Sequence, residues 1–216
     1  WYGHAPAAPV FAAQMGKNVT VVVDAGHGGE DGGAVSPDGV EESRINLEIA
    51  MRVNDLLRFA GQETVLTRRE DVTIADPDLA TVRQRKASDL QNRVALVNST
   101  ENAVLLSIHQ NSLPSSVVTH GAQVFWNQRE GAEMLAETVQ DTLNAWINTG
   151  NEKKPKPIPA TIYLMKNITA PGVIVECGFL SNPEETVQLQ QPSYQLKLAA
   201  AVAAGYLRCR TGEEIS

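Results

Sequence analysis

The chain has 216 residues, 43% of them hydrophobic, which is enough for one buried core and a single domain. Its net charge of -7, with no basic stripe interleaved with aromatics, argues against a nucleic-acid binder. Two cysteines are too few for a disulfide framework or a Cys-rich metal site, and no apolar run is long enough to span a membrane.

In chain order, residues 1–17 read as a linker or frayed end in which His4 is inert. The chain starts at Trp1 rather than Met, which leaves room for an export or anchor segment ahead of it. Val19-Thr20-Val21-Val22-Val23 is a β-branched run expected to form a buried parallel strand. It delivers Asp24-Ala25-Gly26-His27-Gly28-Gly29-Glu30-Asp31-Gly32-Gly33 to the carboxyl edge of a sheet, where α/β folds place their ligands. A phosphate loop does not fit, because GxGxxG needs a glycine where Asp31 stands, and Glu30 with Asp31 would repel a pyrophosphate. The stretch reads as a metal loop.

After a turn at Ser36-Pro37-Asp38-Gly39, a helix is expected from Glu41, with Ile45, Ile49, Val53, Leu56 and Leu57 inward and Gly61 as its stop. Glu41 and Glu42 either complement the helix dipole or one of them is a ligand. A strand at Glu63–Thr67 precedes a polar excursion. A second helix over Leu79–Asn98 turns Leu90, Val94 and Val97 inward and shows Arg83, Arg85, Lys86 and Arg93 to solvent. The strand Ala103–Ile108 runs directly into His109-Gln110-Asn111, repeating the pattern of an apolar run with a histidine at its exit. His120, a turn residue, precedes a strand ending at Trp126. A helix from about Glu130 follows, with Leu135, Val139, Leu143 and Trp146 as its core stripe.

Residues 148–159, with three prolines, read as a surface loop able to rim a site, and Ile162-Tyr163-Leu164-Met165 as a short strand. The last strand, Pro171 to Phe179, carries Glu176, a carboxylate in an apolar run that is costly unless paired, metal-bound or catalytic. Cys177 points to the other side and packs in the core. A short helix at Pro183 and an Ala/Leu-rich one over Tyr194–Arg208 close the domain, expected at 18–210 with a tail at 211–216. The expected fold class is α/β: a three-layer domain with a mostly parallel mixed sheet of about six strands and helices on both faces.

His27, His109 and Glu176 leave the ends of strands, and Glu42 joins them from the start of a helix. Two imidazoles and one carboxylate with a position left for water form a common catalytic zinc set, and the remaining glutamate is then the base. Glu30, three residues after His27, is an alternative ligand in the manner of an HxxE carboxypeptidase pair. Asn111 and Asn46 are candidate hydrogen-bonding groups, Asn111 towards substrate.

Asp24-Ala25-Gly26-His27-Gly28-Gly29, Glu42-Ser43-Arg44-Ile45-Asn46-Leu47, Ser107-Ile108-His109-Gln110-Asn111 and Val175-Glu176-Cys177-Gly178-Phe179-Leu180-Ser181-Asn182 follow one another in that order. In this the chain resembles the zinc-dependent N-acetylmuramoyl-L-alanine amidases of bacterial cell-wall hydrolysis over about Val19 to Leu207. The resemblance implies one Zn2+ per chain, held at His27, Glu42 and His109, with Glu176 catalytic. Arg85-Lys86-Ala87-Ser88-Asp89-Leu90-Gln91-Asn92-Arg93 and the stretch from Glu176 to Glu185 resemble most the spore-germination branch, which removes stem peptides from cortex so that muramic-δ-lactam can form. One departure is Ser43, where the family usually has lysine after the acid. The implied substrate is peptidoglycan, and the implied location is outside the cytoplasmic membrane. With no wall-binding repeats in the chain, targeting falls to the domain itself or to an activating partner protein.

Overall fold

Strand β1 (Thr20–Ala25) lies inside a six-stranded sheet of order β2-β1-β3-β6-β4-β5, with β2 at Glu63–Leu66, β3 at Ala103–Asn111, β4 at Gln123–Trp126, β5 at Lys156–Pro157 and β6 at Gly172–Phe179. This is a computed structural model, and it describes residues 18–212; His4 and the expected 1–17 linker lie outside them. β1 pairs in parallel with β2 and β3, and β3 with β6, whereas β4 runs antiparallel to β6. The sheet is therefore mixed and mostly parallel, as expected.

Both faces are covered, which is why β1 is buried and apolar at Val21, Val22, Val23 and Ala25, with Asp24 the one buried charge. Val21, Val23 and Ala25 face a large core with Val104, Leu106, Ile108, Val173 and Val175. Three helices close that face: α1 (Glu42–Phe59), α3 (Ala132–Trp146) and α6 (Pro192–Thr211). Val22, Leu105 and Ile174 face the other way, onto Val97 of α2 (Val82–Ser99) and Leu164 and Met165 of α4 (Tyr163–Asn167). The short α5 (Pro183–Leu189) follows β6.

Along α1, Ile45, Ile49, Val53 and Leu57 recur every fourth residue and are all buried, and Gly61 just past its end takes a left-handed φ of 77°. Helix α2 starts three residues later than its apolar pattern suggests. Thr81 caps it by accepting from the Gln84 amide while the Gln84 side chain returns to Thr81, a reciprocal capping box.

Three expectations need correction. Ile162–Met165 is not a strand: Tyr163–Asn167 is helical, because Leu164, Met165 and Ile168 share one helical face against the smaller core while Ile162 and Tyr163 are exposed. Four apolar residues carry too little period to separate the two. A two-residue strand, Lys156–Pro157, instead lies within the stretch read as a loop; its lysine and prolines suit a sheet edge. Trp146, expected in the core stripe of α3, is 45% exposed at the last residue of that helix.

Candidate metal centre

The sheet register brings the site together. His109 on β3 is the pairing partner of Glu176 on β6. Gly26, one residue past β1, is the cradle of the His109 ring: a Cβ there would lie 2.2 Å from His109 Cε1. The chain then turns sharply, with left-handed φ values at His27 (60°) and Gly29 (60°), which swings the His27 ring back over the sheet edge. The two imidazoles meet edge to face with centroids 5.0 Å apart.

Glu42 enters between them as the first residue of α1, where a carboxylate also complements the helix dipole. Its Oε2 accepts from the Ala34 amide (2.8 Å) and lies 3.5 Å from His27 Nε2. Its Oε1 meets His109 Nδ1 (2.8 Å) and accepts from Asn46 Nδ2 (3.0 Å) and the Gln110 amide (3.1 Å). Burial pushes this carboxyl up, but the hydrogen bond from His109 and the charges of both histidines outweigh it and leave it at about 2, so it is ionised at neutral pH. One donor atom from each of His27, Glu42 and His109 falls within 4.8 Å of the others. Two imidazole nitrogens and a carboxylate oxygen are the donor chemistry zinc takes, with a further position left for water.

Glu176 is different. Among the described residues its Oε2 is buried without a hydrogen-bond partner, and its carboxyl is pushed up to about 7, by burial first and then by the Glu42 charge, against the pull of His109. Cys177 lies on the opposite face in the large core, as expected.

Four supporting residues escaped the sequence reading. Asp31 Oδ2 is 2.9 Å from His27 Nδ1 and is held in turn by Lys86 Nζ at 3.0 Å. A carboxylate on one imidazole nitrogen orients the other towards the centre. The His27 hydrogen bond keeps Asp31 well below the usual carboxylate range, against the effect of burial. Arg93, expected on a solvated face, is only 2% exposed: it binds Asp24 and Asp89 and donates to the Ala25 and His27 carbonyls, each at 2.8 Å. Arg68, also buried, donates to the carbonyls of Ala25 (3.0 Å), Gly26 (3.1 Å) and Ser43 (2.7 Å). Asp24 completes the group by accepting from Ser107 Oγ at 2.6 Å. Two buried guanidiniums thus fix the carbonyls of residues 25–27. The available signal was Asp24, an acid closing an apolar run just as Glu176 does.

The other candidates fall outside the cluster. Glu30 is 57% exposed and pairs with Arg85 at 2.7 Å, so the HxxE geometry does not form. Asn111 Oδ1 accepts from the amide of its neighbour Ser112, whereas Asn46 bridges Glu42, the Gly26 carbonyl and Gln110. His120 is exposed and hydrogen-bonds the Val118 carbonyl. A groove of 480 Å³ lined by Val40, Glu41, Arg44, Ile45, Gln190 and Gln195 borders the start of α1 but includes none of the three donors.

Fold and donor set define a class, an α/β enzyme domain able to hold a single cation at the carboxyl edge of its sheet beside an unpartnered glutamate. The chain belongs to the N-acetylmuramoyl-L-alanine amidase family, whose model matches residues 21–208. It is 38% identical over 188 residues to the germination-specific N-acetylmuramoyl-L-alanine amidase of Bacillus subtilis, covering 87% of this chain and 78% of that one. Its fold matches the CwlD amidase of Clostridioides difficile, solved in complex with the GerS lipoprotein, with a TM-score of 0.86 and 32% identity over 91% of this chain and all of that one. An N-acetylmuramoyl-L-alanine amidase of Clostridium difficile 630 matches with a TM-score of 0.75 and 27% identity over 88% of this chain and 95% of that one.

Proposed function

We propose that this chain hydrolyses the amide bond between the lactyl group of N-acetylmuramic acid and the L-alanine of the peptidoglycan stem peptide, with one zinc ion held by His27, Glu42 and His109. The observation that carries the reading is the unpartnered Oε2 of Glu176, buried beside three convergent donors. Zinc bound there would supply a Lewis acid that lowers the pKa of water towards roughly 7 and polarises the scissile carbonyl. Glu176 accepts the proton of the attacking water and returns it to the departing alanine amine. A carboxyl drawn up towards neutrality suits a group that must both take and give a proton. Asp31 and Asn46 hold His27 and Glu42 in place.

The finer assignment follows the relatives. Similarity to a germination-specific amidase supports cortex peptidoglycan as substrate, with muramic-δ-lactam formation downstream and a site of action outside the cytoplasmic membrane. Among the described residues no helix is long and apolar enough to cross a membrane. The relative solved with a lipoprotein supports a targeting or activating protein here too.

The test is Glu176→Gln, which keeps shape but cannot take a proton. The variant should fold and bind zinc like the parent while turnover falls roughly 10²–10⁴-fold. Product analysis on defined muropeptides should show a free L-alanine amino terminus. Retained turnover in a stable, zinc-loaded variant overturns the role of Glu176, and release of a terminal amino acid instead overturns the amidase reading.

A further inference from the structure

Glu176 has a neighbour on each side. His109 pairs with it from β3, and Gln123 pairs with it across the antiparallel ladder from β4. Directly opposed residues place their Cβ atoms about 5 Å apart on one face of the sheet, so Gln123 stands next to Glu176 on the side away from the histidines. Gln123 Nε2 donates to the Lys154 carbonyl at 2.8 Å, and among the described residues no hydrogen bond engages its Oε1.

One strand further out comes Lys156, with Lys153 and Lys154 in the irregular segment just before it. The register pairs Phe125 with Lys156, and Phe125 packs with Ile174 on the Glu176 face. Side chains alternate along a strand and paired residues share a face, so Lys156 lies on the face of Gln123 and Glu176, and Lys154 stands in the irregular segment that leads into β5. The segment is held rigidly: Asn144 on α3 donates to the Lys153 carbonyl at 2.8 Å and accepts its amide at 3.0 Å. Lys153 Nζ lies 5.6 Å from the centre of the Phe179 ring at the end of β6. Lys154 and Lys156 are exposed, and among the described residues neither forms an ion pair with a carboxylate, whereas Lys153 is attracted to the Glu185 carboxylate. In a chain of net charge -7, two exposed cations without a carboxylate partner at one end of the catalytic row call for an anionic counterpart.

We propose that Gln123 with Lys154 and Lys156 forms the subsite for the peptide side of the substrate, Gln123 Oε1 accepting a peptide N–H and the two lysines binding free carboxylates further along the stem. This rests on the amidase reading of Glu176. Strands are about 4.8 Å apart, so the lysine strand lies roughly 10 Å from β6, about three residues of extended peptide. The stem therefore runs from the scissile bond across β4 to β5, and the uncharged glycan extends towards the opposite side. Lysine and proline also blunt an exposed sheet edge, a role indifferent to the charge of the substrate.

The experiment compares the parent with the double variant Lys154→Gln/Lys156→Gln on a muropeptide with free stem carboxylates and on its carboxamidated counterpart. The expected result is a rise in KM of about tenfold on the free-carboxylate substrate, with kcat within about twofold, and no change on the amidated one. Gln123→Met should raise KM on both. Calorimetric binding of the free stem peptide and of its amidated form is measured in parallel, so that an outcome exists without turnover. Charge-dependent binding by a parent that cleaves neither substrate would overturn the amidase reading alone. An unchanged KM on the free-carboxylate substrate, or a parent that binds both peptides equally, overturns the subsite.

Discussion

Arg93→Met removes a buried cation while keeping most of the side-chain volume. In the parent, Arg93 neutralises Asp24, which is 1% exposed, and its remaining donors reach Asp89 and the carbonyls of Ala25 and His27. Without it Asp24 keeps hydroxyl partners at Ser107 and Thr67, and a buried carboxylate loses its directly paired cation. Breaking a buried pair from one side costs about 3–5 kcal/mol. At roughly 2–4 °C per kcal/mol for a domain of this size, the melting temperature should fall by about 6–20 °C. Adding Asp24→Asn removes the stranded charge, so the double variant should melt above the single one. The Ala25 and His27 carbonyls still lack their donor in that double variant, and its zinc affinity should remain below the parent's. The assay is thermal unfolding with and without chelator, together with zinc titration, on all three proteins. A fall within 2 °C for Arg93→Met would return Arg93 to a solvated face, and equal melting of single and double variants would refute the buried-charge argument.

Further outcomes follow from the same geometry. Asp31→Ala should weaken zinc binding by about 10–100-fold in competition with a chromophoric chelator, the usual effect of losing the carboxylate behind a ligating histidine, whereas Glu30→Ala should leave it unchanged. Gly26→Ala puts a methyl group 2.2 Å from the His109 ring and should abolish zinc binding, as read by metal content of the purified protein. In the metal-free protein Glu176 holds its proton up to about pH 7 when folded, against an ordinary value of 4.5. Between those values the unfolded chain binds fewer protons than the folded one, so stability falls as pH rises from about 4.5 to 7, and Glu176→Gln should flatten that slope in chemical denaturation.

Much of this architecture can be read from the chain because β1, β3 and β6 are buried on both faces and therefore mostly apolar. His27, His109 and Glu176 stand out for the same reason, as polar groups ending or interrupting such runs. The misreadings have physical causes too. Ile162–Met165 is too short to show a period, and the Lys156–Pro157 strand is two residues of edge with no apolar signature. Arg93 sits in a helix rich in basic residues, and nothing local distinguishes it from Arg83; its burial is decided by Asp24, 69 positions away. Asp31 bears on the site only through the turn that brings it back to His27 and through Lys86, which lies across the fold on α2.

The strand that carries the proposed base is the last to leave the ribosome and yet lies in the interior of the sheet, between β3 and β4. The three donors at residues 27, 42 and 109 are synthesised well before it. A nascent or truncated chain ending before residue 172 thus carries the complete ligand set but leaves β3 and β4 each with an unpaired edge and no base beside the histidines. Such edges invite pairing with other chains rather than partial activity. The order of the strands thus ties the placement of Glu176 beside His109 to completion of the sheet.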